Sequence, residues 1–168
     1  MKVSEELPSR KPNRVKGKDY SLCGVYFLTI CTKERHELLG RIEEGETTYT
    51  EAGAHAADEL SRIESIYPSV VVDTSIVMPN HVHLLLLLLN NELNPTISRI
   101  IQQWKGAVTK KAGFSLWQDK FHDHIVDTAK EYRSIRQYIQ TNPARWETDC
   151  HNEKCRIVED SRPRAESP

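Results

Sequence analysis

"MPNHVHLLLLLL", residues 78–89, is the stretch whose reading decides how this chain folds. Six consecutive leucines call for burial, and two histidines, His81 and His83, stand at their entrance. Leucine favours helices, but the run is short and a Met-Pro-Asn turn precedes it, which favours a strand. It is far too short to cross a bilayer, which takes roughly 20 apolar residues. In a strand, His81 and His83 project to one side, about 7 Å apart at their Cα atoms. Two imidazoles so placed can grip one divalent metal, with the leucines holding the strand rigid. A plain pair of hydrogen-bonded histidines at a strand mouth is the alternative. H-x-H alone does not choose between them.

Working outward, "SVVVDTSIV" (69–77) reads as a strand able to pair antiparallel with the leucine run. "GVYFLTICT" (24–32), rich in β-branched and aromatic residues, reads as another, and "ETTYT" (46–50) as a short edge strand. From Thr50, the residues Ala52, Ala56, Leu60 and Ile63 recur at helical spacing, giving a helix to about Ser65. A second helix is expected with Asn94 as cap and Pro95 at its first position. Its apolar stripe is Ile97, Ile100, Ile101, Trp104 and Val108, and Gly113 ends it. A third opens on Thr128 and Glu131, which fit a capping box, and stops at Asn142 because Pro143 follows. Strands interleaved with helices, without a glycine-rich nucleotide loop, predict an α+β fold. One antiparallel sheet is expected, with helices packed on one face.

A chain of 168 residues suits one folded domain. The expected layout is a basic arm over 1–20, the domain over 21–148 and a tail over 149–168. The polar N-terminal stretch carries no signal peptide, so a cytoplasmic protein without a membrane role is expected. Net charge is −1, but residues 41–66 hold seven carboxylates and two arginines. That segment is −5 and the remainder +4, with "RKPNRVKGK" basic at 10–18. An acidic face opposite a basic one is compatible with phosphate binding, and equally with plain solvated surface. The cysteines, Cys23, Cys31, Cys150 and Cys155, form no C-x-x-C pair. "CHNEKC" (150–155) reads better as reduced tail than as a metal knuckle.

A rival H-x-H, His122 and His124 in "FHDH", is expected between helices with no rigid element beneath it. The third helix adds chemistry of its own in "YIQTNP" (138–143). Tyr138 and Asn142 are four residues apart and share a helix face, about 6 Å from each other. Asn142 offers a carbonyl oxygen to a hard cation, and Tyr138 a phenolic oxygen as nucleophile. Packing and helix termination explain the same two residues equally well when they are taken alone.

"MPNHVHLLL", then "LWQDKFHDHI", then "YRSIRQYIQTNP", with "YFLTICTKER" ahead of them, together resemble the HUH single-tyrosine transposases. The branch associated with repetitive extragenic palindromes is the most similar, and the likeness runs over about residues 24–146. The resemblance implies a ferredoxin-like sheet, metal ligation by His81, His83 and Asn142, and nucleophilic attack by Tyr138. It further implies Mg²⁺ or Mn²⁺, single-stranded or hairpin DNA, and nicking and rejoining through a 5′-phosphotyrosine with release of a 3′-hydroxyl. The acidic 41–66 segment departs from a generally basic family. Candidate DNA contacts are Arg14, Lys16, Arg99, Lys105, Lys110, Trp117 and His124. Arg99, Gln103, Gly106 and Lys110 share one helix face. Two alternatives stay open, a non-catalytic hairpin-binding module and a metal-dependent hydrolase that uses water. Monomer and homodimer are both compatible with the sequence.

Overall fold

The computed structural model describes residues 23–89 and 95–152. In chain order its elements are β1 (Gly24–Cys31), β2 (Gly40–Glu43), β3 (Glu46–Tyr49), α1 (Glu51–Ser61) and α2 (Ile63–Ile66). They continue with β4 (Val70–Val77), β5 (His81–Leu88), α3 (Ile97–Ala112), β6 (His122–Val126) and α4 (Ala129–Thr141). Four strands form one antiparallel sheet in the order β4-β5-β1-β6, while β2 and β3 make a separate hairpin. The sequence β1-α1-β4-β5-α3-β6 in that order is the split βαβ arrangement of ferredoxin-like folds.

The leucine run is a strand because its place in the sheet overrides its helix propensity. β5 lies between β4 and β1, helices pack on both of its faces, and nearly every residue is buried. Val82, Leu84, Leu86 and Leu88 join Tyr26, Leu28 and Ile30 of β1 in the core beneath α1 and α3. A strand alternates its side chains, so His81, His83 and Leu85 face the other way. There Leu85 packs with Val126, Phe27 and the Ile139, Ile135 and Tyr132 side of α4. The antiparallel sheet is as expected, but the helices divide between its faces, with α1 and α3 on one and α4 on the other. The cause is visible in β5, which is apolar or buried on both sides and cannot leave either to water.

The helix boundaries follow their caps. Thr50 caps α1 by accepting from the Gly53 amide, and Thr128 caps α4 by accepting from that of Glu131. Glu131 reaches back to the Asp127 amide, 3.1 Å away. For α3 the cap is Thr96, which accepts from the Arg99 amide, instead of the expected Asn94 and Pro95 start. Asn94 itself lies outside the described residues. Gly113 ends α3 at φ 80°, a left-handed geometry that glycine adopts without strain. The expected helix over 50–65 breaks at Arg62 into α1 and α2. β2 has no counterpart in the sequence reading, since "GRIE" is too short and too polar to stand out. The expectation for "FHDH" is corrected: residues 122–126 are strand β6, hydrogen-bonded along β1. Among the described residues no helix is long and apolar enough to cross a membrane.

Candidate active site

His81 and His83 sit on the α4 face of β5 and are almost completely buried. Their Nε2 atoms face each other at 3.1 Å. The outer nitrogen of each ring is held by a fixed neighbour. Asn80 donates through Nδ2 to the Arg35 and His151 carbonyls, which turns its Oδ1 toward His81 Nδ1 at 2.8 Å. That oxygen only accepts, so His81 carries its proton on Nδ1 and keeps the Nε2 lone pair free. On β1, the hydroxyl of Thr29 holds His83 Nδ1 at 3.0 Å. Burial keeps both rings neutral, lowering His83 to about 3 and His81 well below the ordinary histidine value, with repulsion from charged neighbours adding to it. Neutral imidazole is the form that binds metal.

α4 carries the second half of the site. Tyr138 Oη lies 3.3 Å from His83 Nε2, and its ring stands edge-on to those of His83 and Phe27. Burial, then the charge of Asp149, push the phenol up to about 12, while a hydrogen bond with Asn142 pulls the other way. One turn on, Asn142 is fully buried and donates from Nδ2 to Asp149 Oδ2 at 3.2 Å. Its Oδ1 is buried without a hydrogen-bond partner among the described residues. A buried acceptor left unmatched is costly.

These residues fit a divalent ion. Two nitrogens each about 2.1 Å from one ion and at right angles stand roughly 3 Å apart. The two Nε2 atoms have that separation, and the orphaned oxygen of Asn142 is a hard donor of the kind a divalent ion takes.

Asp149 and His151 were missed by sequence reasoning, which left them in the tail. After α4 the chain makes a short 3₁₀ turn over Pro143–Thr148, buries Trp146 and returns across the histidines. Asp149 Oδ1 accepts from the backbone amide of His151 at 2.7 Å and lies 3.0 Å from its Nδ1. Ligand atoms of His81, Asp149 and His151 all lie within 4.8 Å of one another. Burial opposes charge on both Asp149 and His151. Their hydrogen bonds outweigh it, holding the carboxyl low and the imidazole high as an ion pair. The only signal was the Cys/His-rich "CHNEKC", which marked the region but not the turn that folds it back.

The other predicted residues scatter. His122 and His124 lie on the edge strand, and His124 Nε2 is paired with Glu131 Oε1 at 2.7 Å in a largely exposed position. Arg99 is exposed on α3, whereas Lys105, Lys110 and Trp117 line one open cavity beyond it. Gln103 is taken by the Tyr67 hydroxyl. Arg14 and Lys16 lie outside the described residues.

No family model matches the chain. A Haemophilus influenzae protein known only as uncharacterized is 30% identical over 172 residues, covering 88% of this chain and 96% of that protein. A second protein of that organism, named as a candidate REP-associated tyrosine transposase, is 25% identical over 143 residues, 76% of this chain and 74% of its own. The fold matches a REP-associated tyrosine transposase solved with a REP hairpin at a TM-score of 0.61 and 21% identity, over 79% of this chain and 74% of that one. With the histidine pair, the helix-borne tyrosine and the ordered motifs in place, the chain is similar in sequence to a candidate REP-associated tyrosine transposase and shares its fold with a solved one.

Proposed function

We propose that the protein nicks and rejoins single-stranded or hairpin DNA, with Tyr138 as nucleophile and His81, His83 and Asn142 as ligands of Mg²⁺ or Mn²⁺. One observation carries the reading. The Tyr138 hydroxyl lies against a buried histidine pair whose Nε2 atoms face each other, one helical turn from the unmatched, buried amide oxygen of Asn142. The relative solved with a REP hairpin supports hairpin DNA as the substrate class.

In the reaction, the phenolic oxygen bonds to the scissile phosphorus as the bond to the 3′ oxygen breaks. The phenol gives up its proton and the departing 3′ oxygen gains one. The product is a 5′-phosphotyrosine beside a free 3′-hydroxyl, and attack by a 3′-hydroxyl reverses the step and joins strands. A bound divalent ion would polarise the phosphate and favour the ionised phenol. Packing against Phe27 and His83 fixes the direction of the ring, which spares the attack much of its orientational cost. Asn80 and Thr29 hold the two imidazoles at fixed angles, as partners of metal-binding histidines do.

A denaturing gel with labelled hairpin DNA and Mn²⁺ tests the reading. The expected result is a DNA band retarded by covalently attached protein. Release of a free 5′-phosphate without an adduct would make the protein a hydrolase. Tight binding without cleavage would make it a binding module. Unpaired or hairpin DNA is expected to bind better than blunt duplex, with affinity falling as salt rises because phosphate contacts release counterions.

A further inference from the structure

We propose that the open cavity beside the C-terminal half of α3 binds one unpaired nucleotide of a DNA strand, away from the tyrosine; this rests on the reading that the protein binds unpaired DNA. The cavity is about 450 Å³ and is lined by α3 and the segment that follows it, residues 115–119. That volume lies within the range of about 300–1,000 Å³ typical of small-molecule sites.

Three features give the cavity its chemistry. Gly106 lies on its wall, inside a helix, where glycine is the least favourable residue apart from proline. A Cβ at Gly106 would meet no atom within 4 Å, so packing does not require the glycine. A glycine that the fold does not need is what a ligand approaching the backbone would need. Trp117 also lines the cavity, is only 7% exposed, and its indole N–H has no acceptor among the described residues. Indole nitrogen only donates, so it calls for an acceptor such as a base carbonyl or a phosphate oxygen. Two cations flank the space. Lys105 Nζ is anchored to the Gln118 carbonyl at 2.7 Å, and Lys110 stands exposed on the helix. Phe114, the chain neighbour of Ser115 but not itself part of the lining, is 49% exposed, and an exposed aromatic is a platform on which an unpaired base can stack.

The cavity wall also connects to the candidate active site. The Lys33 amide donates to the Leu116 carbonyl and that of Gln118 to the Cys31 carbonyl, at 2.8 and 3.0 Å. Cys31 is the cross-strand partner of His81. Cavity wall and histidine pair are therefore both tied by backbone hydrogen bonds to the same end of β1.

The test uses a hairpin oligonucleotide with a short single-stranded thymidine extension carrying 2-aminopurine at successive positions. The wild-type protein should change the fluorescence of one position far more than its neighbours. Gly106→Leu fills the cavity while improving helix propensity, so it should raise Tm yet weaken binding by about tenfold and abolish that signal. A merely structural glycine would not move stability and affinity in opposite directions. Lys110→Glu, an exposed change, should weaken binding whether or not Gly106→Leu folds. Equal binding by wild type and Lys110→Glu, or by wild type and folded Gly106→Leu, overturns the proposal and leaves the broader reading standing. If wild type binds no unpaired DNA, both fall. If free thymidine 5′-monophosphate binds as tightly as the oligonucleotide, the occupant is a free nucleotide and the proposal as stated is wrong.

Discussion

Two H-x-H pairs stand in this chain at the same spacing, each on a strand whose alternate side chains face α4, and they are chemically unlike. His81 and His83 lie on an inner strand, almost without solvent, with their Nε2 atoms 3.1 Å apart and their outer nitrogens fixed by Asn80 and Thr29. His122 and His124 lie on the edge strand β6, where His124 reaches solvent and an acidic partner, Glu131. Spacing puts two rings on one face. Burial, second partners and a facing tyrosine turn such a pair into a site, and those come from the position of the strand in the sheet.

The contrast can be broken most sharply at the nucleophile. Tyr138→Phe should abolish the covalent DNA adduct while leaving DNA binding intact. Tyr132→Phe, on the same helix but hydrogen-bonded to Asp73 at 2.7 Å, should keep the adduct. Next in size is the second shell. Asn80→Ala frees His81 Nδ1 and should lower Mn²⁺ affinity about 10- to 100-fold in a metal titration. Glu131→Gln, beside the other pair, should not change it. Asn142→Ala should weaken binding less than loss of either histidine, with added Mn²⁺ partly restoring cleavage.

Acid should separate the pairs by a smaller amount. The folded-state pKa of His83 lies below the ordinary value, so its neutral ring stabilises the fold fully above about pH 6.5. That contribution drains as pH falls toward about 3, because the unfolded chain takes up the proton first. At pH 5 the loss is on the order of 2 kcal/mol. In chelator, urea unfolding at pH 7 and pH 5 should therefore show a larger drop for wild type than for His83→Gln. Smallest of all is the exposed pair, where Glu131→Gln should cost about 0.5 kcal/mol from its contact with His124.

Much of this was legible in the residues. Length and the preceding turn made β5 a strand with the histidines at its mouth, and Thr128 with Glu131 marked where α4 begins. Helix spacing puts Tyr138 and Asn142 on one face, but it was the resemblance that singled them out as nucleophile and ligand. Other parts depended on contacts remote in sequence. α4 covers the second face of the sheet because β5 is apolar on both sides, which a linear pattern does not assign to a particular helix. Asp149 and His151 reach the site only because the 3₁₀ turn after Asn142 reverses the chain, and nothing in "PARWET" announces that reversal. β6 was hidden because "HDHIV" is polar where it runs along the sheet edge, and the edge leaves most of its side chains partly exposed.

The central claim, that the metal belongs to the buried pair, is tested most directly by Mn²⁺ titration followed by electron paramagnetic resonance. Wild type, His81→Ala, His122→Ala and His124→Ala would be measured side by side. The account predicts that His81→Ala loses tight Mn²⁺ binding while His122→Ala and His124→Ala bind as wild type does. Retention of binding by His81→Ala, with loss in the other two, would place the metal on β6 and contradict it.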